Sequence, residues 1–172
     1  DCVGLAVGGK AEGLARLISF GCNVPNGFVI QNATTEYDKA QLETFYKALG
    51  SGKVAVRSSA LGEDGVDASF AGQYETILNI EGMDALHIAI AQCIQSLEHE
   101  RAQAYREDQN IAETHMCVVI QEMVDAQAAG VLFTADPVSG RHDLLVIDAV
   151  LGLGEVLVSG EVTPDHYLLR SN

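Results

Sequence analysis

Apolar and polar residues recur along the chain with two different periods, and the switches between them mark its elements. Leu14, Leu17 and Ile18 fall at helical spacing after a Gly8-Gly9 turn, so residues 10–18 read as a short helix closing near Gly21. Val24-Pro25-Asn26-Gly27 reads as a turn and Phe28-Val29-Ile30 as a short strand. Residues 35–49 read as a second helix, with Leu42, Phe45, Tyr46 and Leu49 on one face and Gly50-Ser51-Gly52 as its stop. Lys53 to Arg57 has strand character, residues 58–72 are small, acidic and loop-like, and Tyr74 to Ile80 is strand again. The longest helical stripe runs through residues 83–107 along Leu86, Ile90, Ile94, Leu97, Arg101 and Tyr105. Beyond it come strands at Met116 to Val124, Ala129 to Thr134, Leu144 to Ile147 and His166 to Leu169. The short link at Gln127 and Ala128 suggests a hairpin between the first two.

Helices dominate the first two-thirds of the chain and strands the last third. That order predicts an α+β protein of two lobes divided near residues 108–115, an N-terminal lobe of residues 1–110 and a β-rich lobe of residues 111–172. The 172 residues suffice for a sizeable core. The balance of 24 acidic against 10 basic residues, net −14, removes some functions from consideration. No basic patch is dense enough to grip a nucleic-acid backbone, and no basic amphipathic stretch suits an anionic membrane. No apolar run approaches the ~18 residues of a membrane span. Neither nucleic acid nor membrane is therefore expected as a partner. With no visible signal peptide, and with Cys2, Cys22, Cys93 and Cys117 forming no CxxC, the expectation is a cytoplasmic protein with reduced, mostly buried thiols. The chain starts at Asp1 rather than methionine, which suggests processing or excision from a longer protein.

With only ten cations, each one set among small residues is informative. Lys10 lies at a glycine-rich helix start, where backbone N–H groups and the helix dipole favour an anion; an ordinary solvated lysine is the plainer alternative. Arg57 ends an apolar strand and precedes Ser58-Ser59-Ala60. There a guanidinium can take a phosphate bidentately, or pair with Glu63, Asp64 or Asp67. The loop Ser69-Phe70-Ala71-Gly72-Gln73 can close over a phosphate chain with its N–H groups, as many small hairpin loops can. Glu155, after Gly152-Leu153-Gly154, suits a sugar hydroxyl, a metal or plain solvent. Two nucleotide motifs fail. Gly50-Ser51-Gly52-Lys53 lacks the first glycine and the Ser/Thr of a P-loop, and Leu157 replaces the third glycine of a dinucleotide fingerprint. The histidines His87, His99, His115, His142 and His166 form no nucleophile or zinc signature, and no metal ligand is assigned.

Taken in order, these segments resemble the nucleotide-binding domain of the phosphoenolpyruvate synthase (pyruvate, water dikinase) family. Gly8-Gly9-Lys10-Ala11-Glu12-Gly13-Leu14 is similar to its GGK-x-x-x-L start, and Val24-Pro25-Asn26-Gly27-Phe28 to its VPxGF turn. Val54-Ala55-Val56-Arg57-Ser58-Ser59-Ala60 with Glu63-Asp64 resembles VAVRSSA-x-x-ED, and residues 68–76 resemble ASFAGQxET. Gln121-Glu122-Met123-Val124, Gly130 to Pro137, Gly152 to Glu155 with Ser159-Gly160, and Thr163-Pro164-Asp165 complete a likeness running from Gly8 to Tyr167. Pyruvate phosphate dikinase and rifampin phosphotransferase share the domain.

The resemblance implies an ATP-grasp-like pair of lobes with ATP and Mg2+ as cofactors. It implies that Lys10 and Arg57 bind the ATP phosphates, that Ser69, Phe70, Ala71, Gly72 and Gln73 cover them, and that Gln121, Glu122, Met123 and Val124 form the hinge behind adenine. Glu155 would lie near the ribose. In the family, ATP phosphorylates a histidine on a separate swivelling domain, which passes the phosphoryl group to pyruvate on a pyruvate-binding domain. Both domains are expected as partners, in the same longer chain or in another. The family's Glu and Gln magnesium ligands lie past Asn172, so the resemblance presents the chain as truncated at its C-terminal end and inactive alone. A non-catalytic nucleotide-sensing or partner-docking module of the same descent is the alternative.

Overall fold

The computed structural model describes residues 7–34, 36–60, 76–107 and 116–170. Its elements run in the order α1 (Gly9–Ser19), β1 (Gly27–Ile30), α2 (Lys39–Ala48), β2 (Val54–Ala60), β3 (Thr76–Ile80), α3 (Met83–Glu107), β4 (Met116–Glu122), β5 (Ala128–Phe133), β6 (Leu144–Leu151), α4 (Glu155–Val158) and β7 (Asp165–Arg170). The mixture of helices with antiparallel sheets is α+β, as the residue pattern predicts.

The chain divides into two compact units, residues 1–123 and 124–172. The sequence places the division after residue 110 and pairs residues 116–124 with 129–134 in a hairpin; the structure does neither. β4 lies between β1 and β2 in a four-stranded sheet of order β1-β4-β2-β3, so it belongs to the first unit. Its apolar run Cys117-Val118-Val119-Ile120 is buried on both faces, which is what an inner strand covered on both sides requires. β5 instead pairs with β6, and β6 with β7, in the second unit.

In the first unit, residues alternate across the sheet and feed two cores. Val54 and Val56 of β2 and Val118 and Ile120 of β4 face one side. They meet Leu42 and Tyr46 of α2 and Leu86, Ala89, Ile90, Cys93 and Ile94 of α3. Those α3 residues form one helical stripe; Leu97, Arg101 and Tyr105, expected to extend it, fall outside the described side chains. Phe45 of α2 packs on Phe28 of β1 with ring centroids 5.4 Å apart. The opposite face carries Cys117 and Val119, which pack with Val7 and with Ala11 of α1. Asp38 caps α2, its Oδ1 accepting from the Ala40 and Gln41 N–H groups at 3.0 Å each. The described cysteines are thiols; Cys93 and Cys117 are buried, whereas Cys22 is exposed.

The second unit is a three-stranded meander of order β5-β6-β7 with the single-turn helix α4. Among its described residues only Val146 is buried, and Tyr167, Leu168 and Leu169 are exposed, because one helical turn covers little of a sheet. The β5–β6 turn is held by Asp136, which accepts from the Val138 N–H at 2.9 Å and from the Ser139 hydroxyl. His166 and Asp148 pair across β6 and β7, Nδ1 to Oδ1 at 2.6 Å. No helix among the described residues is long and apolar enough to cross a membrane.

Candidate functional site

The face of the first sheet that carries α1 gathers the polar residues singled out in the sequence. Alternation along β2 puts Ala55, Arg57 and Ser59 on that face, opposite Gln121, Val119 and Cys117 of β4 respectively. Lys10 is the second residue of α1, which lies against this face. Arg57, on a strand, and Lys10, on a helix, therefore share one side of one sheet although 47 positions separate them in sequence.

Arg57 is the unusual group. Its guanidinium is half-buried, and its Nε is shut off from solvent without a hydrogen-bond partner among the described residues. Burial pushes its pKa below the ordinary arginine value, because desolvation disfavours the charged form. A buried, unsatisfied, cationic donor is costly in a folded protein unless a ligand completes it. A phosphate oxygen is a fitting acceptor for that geometry.

Lys10 is positioned by the turn before it. Gly8 has φ 79°, a conformation open to glycine, and a Cβ there would sit 2.7 Å from the carbonyl carbon and oxygen of Ser59 and against its hydroxyl. The backbone at Gly8 thus lies directly on β2. Gly8 is also the N-cap of α1 and supplies no side-chain cap. Instead the Ser59 hydroxyl, fully buried, accepts from the Ala11 N–H at 3.4 Å and donates to the Val7 carbonyl at 3.0 Å.

The residues expected to form the adenine hinge divide. Gln121 is buried on the α1 face, and its side-chain amide donates to the Pro25 carbonyl at 3.2 Å. The Glu122 N–H donates to the Asn26 carbonyl at 2.8 Å and the Met123 N–H to the Lys53 carbonyl at 3.0 Å. Those two N–H groups are thus committed to backbone carbonyls, and the Val124 side chain is exposed. Beside Gln121 an apolar groove of about 510 Å³ opens between α1 and β1, lined by Leu14, Ile18, Val24, Pro25 and Phe28 among others. Glu155 is the first residue of α4, in the second unit, and exposed. The loop Ser69 to Gln73 lies outside the described residues. Among the described residues no group of three or more His, Cys, Asp or Glu can hold a metal ion. Sequence reading missed Ser59 as part of this site; its signal was present as the second serine after Arg57, but nothing local said that it reaches α1.

Residues 39–172 match the family model for the pyruvate phosphate dikinase AMP/ATP-binding domain. The chain belongs to this family. Named relatives agree. Phosphoenolpyruvate synthase of Aeropyrum pernix is 36% identical over 220 aligned positions that cover 96% of this chain and 27% of that enzyme. Prodigiosin synthesizing transferase PigC of Serratia marcescens is 50% identical over 124 residues, 72% of this chain and 14% of that protein. Rifampicin phosphotransferase of Streptomyces sviceus is 51% identical over 118 residues, 67% of this chain and 14% of that enzyme. The chain thus spans about a seventh to a quarter of the relatives' lengths. The 220 aligned positions exceed the 172 residues here, so the Aeropyrum enzyme carries internal segments that this AMP/ATP-binding domain does not have.

Proposed function

We propose that the chain binds ATP with Lys10 and Arg57 on its phosphates, as part of a phosphotransferase that uses ATP to phosphorylate a histidine on a separate domain. Phosphoenolpyruvate formation from pyruvate would be the reaction served. The observation that carries the reading is the half-buried Arg57 guanidinium, its buried Nε without a partner among the described residues, on the same sheet face as the glycine turn and Lys10. Two cations so placed offset the charge of a polyphosphate, and a phosphate oxygen on Arg57 would offset the desolvation of its guanidinium. The residues present fit a triphosphate.

For Mg2+ the fit is indirect. No cluster of three metal-ligating side chains occurs among the described residues. When bound with the nucleotide, Mg2+ would supply charge neutralisation at the phosphates. This chain's residues would then orient the phosphates: Lys10 as a point charge, Arg57 as a planar fork, and the Ser69 to Gln73 loop as a cover of N–H groups. The carbonyls near Glu122 and Met123, with Val124, would meet the base, and Glu155 the ribose. The two units of an ATP-grasp-like domain, a swivelling phosphohistidine domain, a pyruvate-binding domain and a cytoplasmic setting belong to the same proposal.

The test is ATP–Mg2+ affinity by titration calorimetry on the chain and on its Lys10→Ala and Arg57→Ala variants, with histidine labelling in the longer protein. Each substitution should weaken ATP by about tenfold or more, the measure of one charge-assisted contact. Unchanged affinity in both variants would remove these residues from the phosphate site. Lost ATP binding with intact histidine phosphorylation would favour the nucleotide-sensing alternative.

A further inference from the structure

α1 begins without a cap of its own, and the missing acceptor comes from another element. In an ordinary helix the N-cap side chain accepts from the N–H two or three residues into the first turn. Here the N-cap is Gly8, and the third helical N–H, that of Ala11, is taken by the hydroxyl of Ser59 at 3.4 Å. The same hydroxyl donates to the carbonyl of Val7, the residue before the cap, at 3.0 Å. One buried hydroxyl therefore uses its donor and an acceptor site on the two residues that bracket Gly8-Gly9-Lys10. The contact is closed from the other side as well, since the Gly8 backbone lies where a Cβ would fall 2.7 Å from the Ser59 carbonyl. Ser59 is two residues beyond Arg57 on β2 and on the same face.

We propose that Ser59 is a positioning residue: by capping α1 from β2, it fixes the start of the helix that carries Lys10 against the strand that carries Arg57. It thereby sets the spacing of the two cations. The inference rests on the reading of Lys10 and Arg57 as phosphate ligands. A serine that merely filled space would tolerate alanine, which is smaller by one atom. A serine acting as the cap leaves a buried carbonyl and a helix-end N–H without their partner when it is removed, and the turn shifts.

The test compares ATP–Mg2+ and adenosine affinities of the full chain with those of Ser59→Ala, Lys10→Ala and the double variant. Ser59→Ala should weaken ATP by about tenfold while adenosine changes by less than about twofold, because only the phosphate contacts depend on the turn. In the Lys10→Ala background, adding Ser59→Ala should cost less than about twofold, since both act on one contact. Ser59→Thr, which keeps the hydroxyl, should restore most of the ATP affinity. Equal weakening of ATP and adenosine, or a full additional loss in the double variant, overturns the proposal and leaves Ser59 a packing residue. If Lys10→Ala alone leaves ATP affinity unchanged, the phosphate reading itself fails and this inference with it. If Lys10→Ala weakens ATP and Ser59→Ala does not, only this inference fails. Should Ser59→Ala not fold, Gly8→Ala displaces the same turn from the opposite side and must give the same selective loss of ATP or overturn the proposal.

Discussion

Replacing Arg57 by methionine should make the nucleotide-free protein more stable than the parent and the stabilisation gained from ATP smaller. The structure supplies the reason for both signs. Arg57 has its Nε buried with no partner among the described residues. Desolvation lowers its pKa, which means that the fold disfavours its charged form. For a base with a depressed folded-state pKa, the cost is present in full below that pKa, hence at neutral pH. Leaving a polar group unsatisfied in this way costs about 1–3 kcal/mol. Methionine keeps an unbranched stem of similar length and has nothing to desolvate, so the packing around the stem survives. The expected gain without nucleotide is about 1–2 kcal/mol, since partial exposure discounts the upper range. At ATP–Mg2+ near 100 times the parent's Kd, the parent gains about 2.7 kcal/mol and a variant weakened about tenfold gains about 1.4, so nucleotide removes about 1.3 kcal/mol of the variant's advantage. Urea denaturation with and without nucleotide, following the first unit, reads both halves. A variant that is less stable than the parent without ATP would mean that the guanidinium is structurally satisfied. One that keeps the full ATP protection would mean that it does not touch phosphate.

Two further outcomes follow from groups outside the site. The Tyr46 hydroxyl donates to the Ser51 and Gly52 carbonyls at 3.1 and 2.9 Å and accepts from the Gly82 N–H at 2.9 Å, joining the turns after α2 and before α3. Tyr46→Phe should therefore cost about 1–3 kcal/mol in urea melts with ATP affinity unchanged, and a loss below ~0.5 kcal/mol would show that water replaces these partners. The Asp136 carboxyl is held below its ordinary 3.8 by the Ser139 hydroxyl and then the Val138 N–H, so its contribution is full above the usual carboxylate range and is lost as pH falls through the lowered value. Asp136→Asn should accordingly flatten the acid limb of a pH–stability curve, and an unchanged limb would place the acid sensitivity elsewhere.

What the sequence made legible was whatever a short window of residues determines. The helical stripe of α3 is readable because Leu86, Ile90 and Ile94 recur at one period, and burial confirms the face. The glycine turns and the strand cores were readable for the same reason. The partners of the strands were not. The strand expected at Met116 to Val124 pairs in sequence logic with the one that follows it, since a short polar link looks like a hairpin; yet its run of apolar residues without alternation favours an inner strand buried on both faces. The structure divides the chain after Met123, whereas the order of helices and strands predicts a division near residues 108–115.

The site divides along the same line. Lys10 and Arg57 stand out in sequence because cations are rare in a chain of net charge −14, and both sit among glycines or serines. Their common face does not stand out, because it depends on the pairing of β2 with β4 and on a hydroxyl that reaches across 48 residues to Ala11. Nor does the commitment of the Glu122 and Met123 N–H groups to Asn26 and Lys53, which is again a contact between remote segments. The acidic total says little about such a site, since screening confines exposed charges to about 10 Å. A guanidinium held partly out of water is screened far less. Its buried Nε, without a partner among the described residues, rather than the net charge, is what favours the proposed anion on this face.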